Sequence, residues 1–196
     1  MLAAIILSGG ESSRMGSPKA LIPYRGRVFL DHLLDLARHP KLGPVLVVLG
    51  PHAEQIRKEV ALELASVVVN PDWQQGQLSS IQAALHQLAK GTETDGIMLF
   101  LVDHPLISAA LVDQLIAEFY RSGRPIVLPV FRGKRGHPVI FARRLYEELL
   151  AAPAEKGARA VVWAHAGEIL QVPTDEEGVV LNLNDPEAFR KALGGG

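Results

Sequence analysis

The chain alternates between short unbroken apolar runs and longer stretches in which apolar residues recur every three or four positions. The runs at 3–7, 45–49, 66–69, 97–102 and 126–130 lack polar alternation, which predicts strands buried on both faces. Between them the spacing predicts helices. Residues 53–64 place Ile56, Val60 and Leu64 on one face, and residues 78–88 place Leu78, Ile81, Leu85 and Leu88 at intervals of three and four. Residues 108–120 begin at a cap-type serine, Ser108, and stack Leu111, Leu115 and Phe119. Residues 28–37 fit a helix less cleanly. Strand alternating with helix predicts a three-layer α/β fold, a mostly parallel sheet with helices on both faces.

After residue 130 the rhythm changes. Residues 131–141 read as a loop running into an extended segment, and 143–150 and 156–164 as helices separated by Pro153. Residues 168–172 and 179–181 flank a turn at 174–178 and read as a hairpin or two edge strands. Asp185-Pro186-Glu187 has the order of a helix start, and a short helix to about residue 193 closes this small mixed C-terminal extension.

Composition narrows the class. At 196 residues with no shift in composition along the chain, one domain spanning 1–196 is expected. A net charge of −1 gives no basic field for nucleic acid or an anionic membrane. With no cysteine there is no disulfide framework, thiolate metal site or thiol nucleophile. The first apolar run is too short for a membrane span and has no basic segment before it, so a cytoplasmic protein is expected.

In such sheets, ligands sit outside the carboxyl ends of the strands. The loop after the first strand breaks from Leu7 into Ser8-Gly9-Gly10 and carries Ser13, Arg14, Gly16 and Lys19. Glycines admit close backbone approach, consecutive N–H groups bind anions, and the two cations neutralise further charge, so the loop suits a polyphosphate. A glycine turn with two solvated cations is the alternative. The register is not that of a P-loop, since Met15 stands where the second glycine belongs. Asp103 ends the run 97–102, where a carboxylate suits a divalent cation near a bound phosphate; a turn or cap role before Ser108 is its alternative.

The stretch 6–21, ILSGGESSRMGSPKAL, resembles the signature of the MobA-like nucleotidyltransferases, which include the molybdenum-cofactor cytidylyl- and guanylyltransferases. Later segments resemble that family in order: 45–50, ending in a glycine; NPDWQQGQLSS at 70–80; LVDHP at 101–105; GHPVIF at 136–141; and KGAR at 156–159. The resemblance implies a Rossmann-like nucleotidyltransferase fold and a Mg²⁺-dependent reaction. In it, the phosphate of an acceptor, molybdopterin, attacks the α-phosphorus of CTP or GTP and expels pyrophosphate. It implies nucleotide contacts at Leu7, Ser8, Gly9, Gly10, Ser13, Arg14, Gly16, Lys19, Asn70 and Ser80. Arg14, Lys19 and Asp103 would be catalytic, with Mg²⁺ on Asp103 and Asn184.

Trp73, His104, His137, Lys156 and Arg159 are the expected acceptor contacts, and a molybdoenzyme or chaperone the expected partner. Structural roles stand as alternatives: a packed anchor for Trp73, turn positions for the histidines, cap chemistry for Ser80 and Asn184. The W-x-x-G, G-H-P and K-G-A-R segments point to the cytidylyl branch. Leu7-Ser8-Gly9-Gly10 and Asn182-Leu183-Asn184-Asp185-Pro186-Glu187 lie closer to the guanylyl pattern. Other readings are a sugar- or polyol-phosphate acceptor, or a nucleotide-binding accessory protein without turnover.

Overall fold

A computed structural model describes residues 1–11, 17–91 and 93–183. Ser13, Arg14, Gly16, Asn184 and the helix expected from Asp185 lie outside the described residues. The main sheet comprises β1 (Leu2–Ser8), β2 (Leu42–Leu49), β3 (Ser66–Val69), β4 (Gly96–Leu101), β5 (Ile126–Phe131), β6 (Lys134–Arg135), β7 (Val139–Ala142) and β8 (Ile169–Pro173). Their order is β8-β5-β7-β4-β1-β2-β3, with β6 pairing β5. The pairs β1–β2, β1–β4, β2–β3 and β5–β8 are parallel. The exceptions are β7, which runs antiparallel to both its neighbours, β4 and β5, and the short β6, antiparallel to β5. The carboxyl ends of β1, β2, β3, β4, β5 and β8 therefore share one edge.

Alternate strand residues feed two apolar layers. Leu2, Ala4, Ile6, Met98 and Phe100 pack with helices α1 (Phe29–Ala37), α2 (Ala53–Glu59) and α4 (Ala109–Ser122). Ala3, Ile5, Leu7, Ile97 and Leu99 pack with α3 (Gln77–Leu88), α5 (Tyr146–Ala151) and α6 (Arg159–Ala164). Each fully buried Leu, Ile or Phe contributes about 1.5–3 kcal/mol, so the central strands anchor both layers. Ser108 caps α4 as expected, its hydroxyl accepting from the Leu111 N–H. Among the described residues, no helix is long and apolar enough to cross a membrane.

Four expectations change. The run 66–69 is an edge strand, not one buried on both faces, since β3 pairs only β2. The helix predicted over 53–64 stops at Glu59, where Val60 turns extended, and Leu64 is 72% exposed instead of facing the core. The loop predicted from 131 contains the short strand β6, and the extended segment expected after it is β7, wedged at the sheet centre. Of the hairpin or two edge strands expected at 168–172 and 179–181, the first is an edge strand, β8, parallel to β5, while Val179 ends a single 3₁₀ turn, Glu177–Val179, and there is no hairpin. Tertiary contacts override strand propensity there, because the buried Val179 accepts the His137 N–H on its carbonyl.

Candidate active site

A cleft of about 200 Å³ opens where β1 and β4 end. Leu7, Ser8, Gly9 and Gly10 line one side; Leu101, Val102 and Asp103 line the other; Lys19, Trp73, Gly76, Gln77 and Ser80 complete it. The loops after β1 and β2 touch so closely that a Cβ on Gly50 would lie 2.2 Å from the Gly9 carbonyl oxygen. One on Gly9 would lie 2.8 Å from the Ser80 hydroxyl. The chain thus places bare backbone in the cleft. Helix α3 begins there after Gly76, whose φ of +96° is a glycine conformation, and the positive end of its dipole faces the same space.

Asn70 supports this wall from behind. It is buried, its amide donates to the hydroxyls of Ser79 (2.8 Å) and Ser80 (3.0 Å), and its carbonyl accepts the Asp72 N–H at 2.9 Å. Its side chain is engaged within the protein, and it reaches the cleft through Ser80, not directly.

Lys19 and Asp103 meet across the cleft, Nζ donating to Oδ2 at 3.1 Å. Their side chains are 20% and 16% exposed, so the pair is half-shielded from water yet open to a ligand. The other carboxylate oxygen lies 3.9 Å from His104 Nε2. Among the described residues no group of three or more acidic, histidine or cysteine side chains converges as a metal cage. A lone carboxylate at a phosphate-sized cleft nevertheless fits a hard divalent cation, because Mg²⁺ takes one or two protein carboxylates and fills its other positions with water and phosphate oxygens.

Behind Asp103 lies a histidine pair. The His104 and His137 rings sit 5.1 Å apart, and the Nδ1 atom of each is buried without a hydrogen-bond partner among the described residues. Burial pushes His104 below the usual imidazole value, against the pull of Asp103 and of the Gly178 and Val179 backbone. Burial, and then the neighbouring His104, push His137 down to about 4. Both rings are therefore neutral near pH 7. A strap from Glu176 to Leu183 pins this region. The Glu176 carboxylate accepts from the Ser108 N–H at 2.9 Å, the Val179 carbonyl accepts the His137 N–H, and the Asp103 carbonyl accepts the Leu183 N–H at 3.0 Å. Gly178 packs so tightly that a Cβ would fall 1.6 Å from the Leu106 carbonyl oxygen.

A second cavity, about 530 Å³, adjoins the first at Gln77, which lines both. Its floor is apolar, with Leu99, Leu128 and Phe141, and His137, Arg135, Lys156 and Arg159 ring it. Trp163, 61% exposed, stands at its mouth. The expected acceptor residues thus divide. His137, Lys156 and Arg159 line this second cavity, Trp73 lines the first, and His104 lines neither. Gln77, Trp163, Glu176 and Gly178 are not among the expected site residues. Gly76 before an apolar-periodic run marks the helix start that exposes Gln77, but nothing local distinguishes the other three.

The family model described as the MobA-like NTP transferase domain matches residues 4–169. Nicotine blue oxidoreductase of Paenarthrobacter nicotinovorans is 32% identical over 151 residues, covering 71% of this chain and 70% of that protein. Molybdenum cofactor cytidylyltransferase of Escherichia coli K12 is 24% identical over 186 residues, covering 94% and 92%. The crystal structure of Rv0371c from Mycobacterium tuberculosis H37Rv in complex with manganese superposes with a TM-score of 0.83 at 26% identity, covering 100% of this chain and 99% of that one.

Proposed function

Because the chain belongs to the MobA-like NTP transferase family, we propose that it joins the nucleotidyl group of CTP to the phosphate of molybdopterin and releases pyrophosphate. The observation that carries this reading is the convergence of Ser8, Gly9, Gly10, Lys19 and Asp103 in one cleft beside a larger, cation-rimmed cavity. GTP in place of CTP is the nearest variant. The reaction is proposed to occur in the cytoplasm, with the product passing to a molybdoenzyme or its chaperone.

The backbone at Gly9 and Gly10 and the start of α3 receive the triphosphate, with Lys19 on its oxygens and Arg14 as a second proposed cation. Ser8, Ser13, Gly16 and Ser80 are the further proposed nucleotide contacts. Lys156 and Arg159 hold the anionic acceptor, and neutral His137 offers it a hydrogen bond but no charge. An acceptor phosphate oxygen bonds to the α-phosphorus as the bond to the α–β bridging oxygen breaks, and that oxygen leaves with pyrophosphate. The phosphate's second pKa is about 6, so it attacks as a dianion and needs no protein base. The residues act by alignment and charge neutralisation. A divalent cation, proposed as Mg²⁺ on Asp103 with Asn184 as second ligand, supplies Lewis-acid charge and a template for the phosphate oxygens when bound. The relative crystallised with manganese supports a divalent ion at this fold.

Pyrophosphate release tests the proposal. Release with CTP and molybdopterin supports it; release with GTP alone reassigns the base. Release with a sugar phosphate reassigns the acceptor, and nucleotide binding without release makes the protein an accessory binder. The 32% identity to nicotine blue oxidoreductase favours a second reading, reduction of a bound acceptor. Consumption of NADH or NADPH without pyrophosphate release would install it.

A further inference from the structure

We propose that Lys19 guards the Asp103 carboxylate, so that the site takes up a divalent cation only together with a triphosphate. The proposal rests on the transferase reading above and adds to it an order of binding that the family assignment does not contain.

Among the described residues the cleft brings together one carboxylate and one ammonium, and they pair: Lys19 Nζ sits 3.1 Å from Asp103 Oδ2. A cation arriving alone must displace this ammonium from the oxygen it needs, at a half-shielded site where charges are screened less than at the surface. His104 Nε2 lies 3.9 Å from the other oxygen. Among the described residues, the remaining walls of the cleft, at Leu7, Ser8, Gly9, Gly10, Leu101 and Val102, bring no further carboxylate. Among the described residues, an ion arriving alone finds one carboxylate, and that carboxylate is already opposed by a cation.

A triphosphate changes both terms. Its oxygens attract the ammonium, and they add ligands to the incoming ion. Lys19 is built for such a transfer. Its backbone is fixed in a short 3₁₀ turn, with Ala20 and Leu21 buried beneath it and the Leu21 N–H bonded to the Pro18 carbonyl at 2.9 Å. Its charge sits at the end of a flexible four-carbon stem. The root stays while the head turns from Asp103 to phosphate. Metal and nucleotide then strengthen each other's binding, and by linkage the coupling is equal in both directions.

The test uses Mn²⁺ alone, followed by electron paramagnetic resonance, on the full chain without acceptor, so no turnover is read. Wild-type protein binds Mn²⁺ weakly. Lys19→Met binds it about tenfold more tightly, within the 5- to 150-fold span usual for coupled sites. Lys19→Arg, which keeps the cation, stays weak, and Asp103→Asn removes the gain when added to Lys19→Met. Circular dichroism checks that each variant folds, and the folded Lys19→Arg protein carries the test should Lys19→Met fail to fold: tight Mn²⁺ binding there overturns the guard. Equal Mn²⁺ affinity in wild type and Lys19→Met also overturns it, while pyrophosphate release would leave the transferase reading standing. Mn²⁺ binding indifferent to Asp103→Asn overturns the metal site and the guard together.

Discussion

The two cavities meet at Gln77 but are built by opposite means. The smaller is made of strand ends, glycines in near-contact and one ion pair, all from parallel βα units. The larger keeps Leu99 and Leu128 of that repeat in its floor but draws its rim from the segment entering β7, the turn before α6, and α6 itself, which lie outside the parallel repeat. The difference teaches how the fold divides its work. A triphosphate presents the same oxygens whatever base it carries, so backbone amides at fixed positions suffice. An acceptor must be selected by shape and charge distribution, which calls for side chains on elements that can vary.

The comparison breaks most sharply at Asp103. Asp103→Ala is expected to lower turnover by roughly 10²–10³-fold, by analogy with the loss of one charge-stabilising group, while acceptor affinity holds. An equal loss of acceptor binding, measured by titration, would mean that the two cavities are not separate. Next in size is Lys19→Ala, expected to weaken triphosphate binding by about tenfold or more, the effect of one lost charge-assisted hydrogen bond. Lys90→Ala, on the exposed turn after α3, serves as control. Matching effects would remove Lys19 from the donor side.

The reverse asymmetry is expected on the other side. Changing both Lys156 and Arg159 to Ala raises KM for the acceptor by roughly tenfold with KM for the nucleotide unmoved; a change confined to the nucleotide would invert the assignment. The smallest effect is on stability. His137 is depressed to about 4 in the folded chain against an ordinary value near 6.5, so the unfolded chain binds the extra proton first. Its contribution is whole above pH 6.5 and fades as pH falls towards 4. Between pH 7 and pH 5 this is a loss of about 2 kcal/mol, or about 4–8 °C in melting temperature. A His137→Asn protein with the same acid profile would show that burial of this ring is not responsible.

The same division governs what could be read from the residues alone. Unbroken apolar runs locate β1, β2, β4 and β5, and helical spacing locates α3 and α4, because each of these elements is determined by its own burial pattern. The donor loop and Asp103 follow, since each sits directly after such a strand. On the acceptor side the local signal weakens. Nothing in Val139–Ala142 says that it will enter the sheet centre backwards, and Val179 looks like a strand residue until Gly178 and the His137 backbone capture it. The histidines divide for a similar reason. His104 follows Asp103 directly but is turned inward under the strap, while His137, thirty-three positions on, reaches the cavity wall.

The reversed direction of β7 has one more outcome. Since it runs against its neighbours, its beginning, not its end, lies at the edge where ligands gather, with Val139 beside Leu99. Gly136 and His137 therefore come to the larger cavity from a strand's entrance, at the foot of the hairpin formed by β5 and β6. Lengthening or rewriting that hairpin would reshape one cavity while the register of Leu2–Leu7 against Gly96–Leu101 stayed untouched. A lineage could thus exchange one acceptor for another by editing a few surface residues, with the nucleotide machinery carried along unaltered.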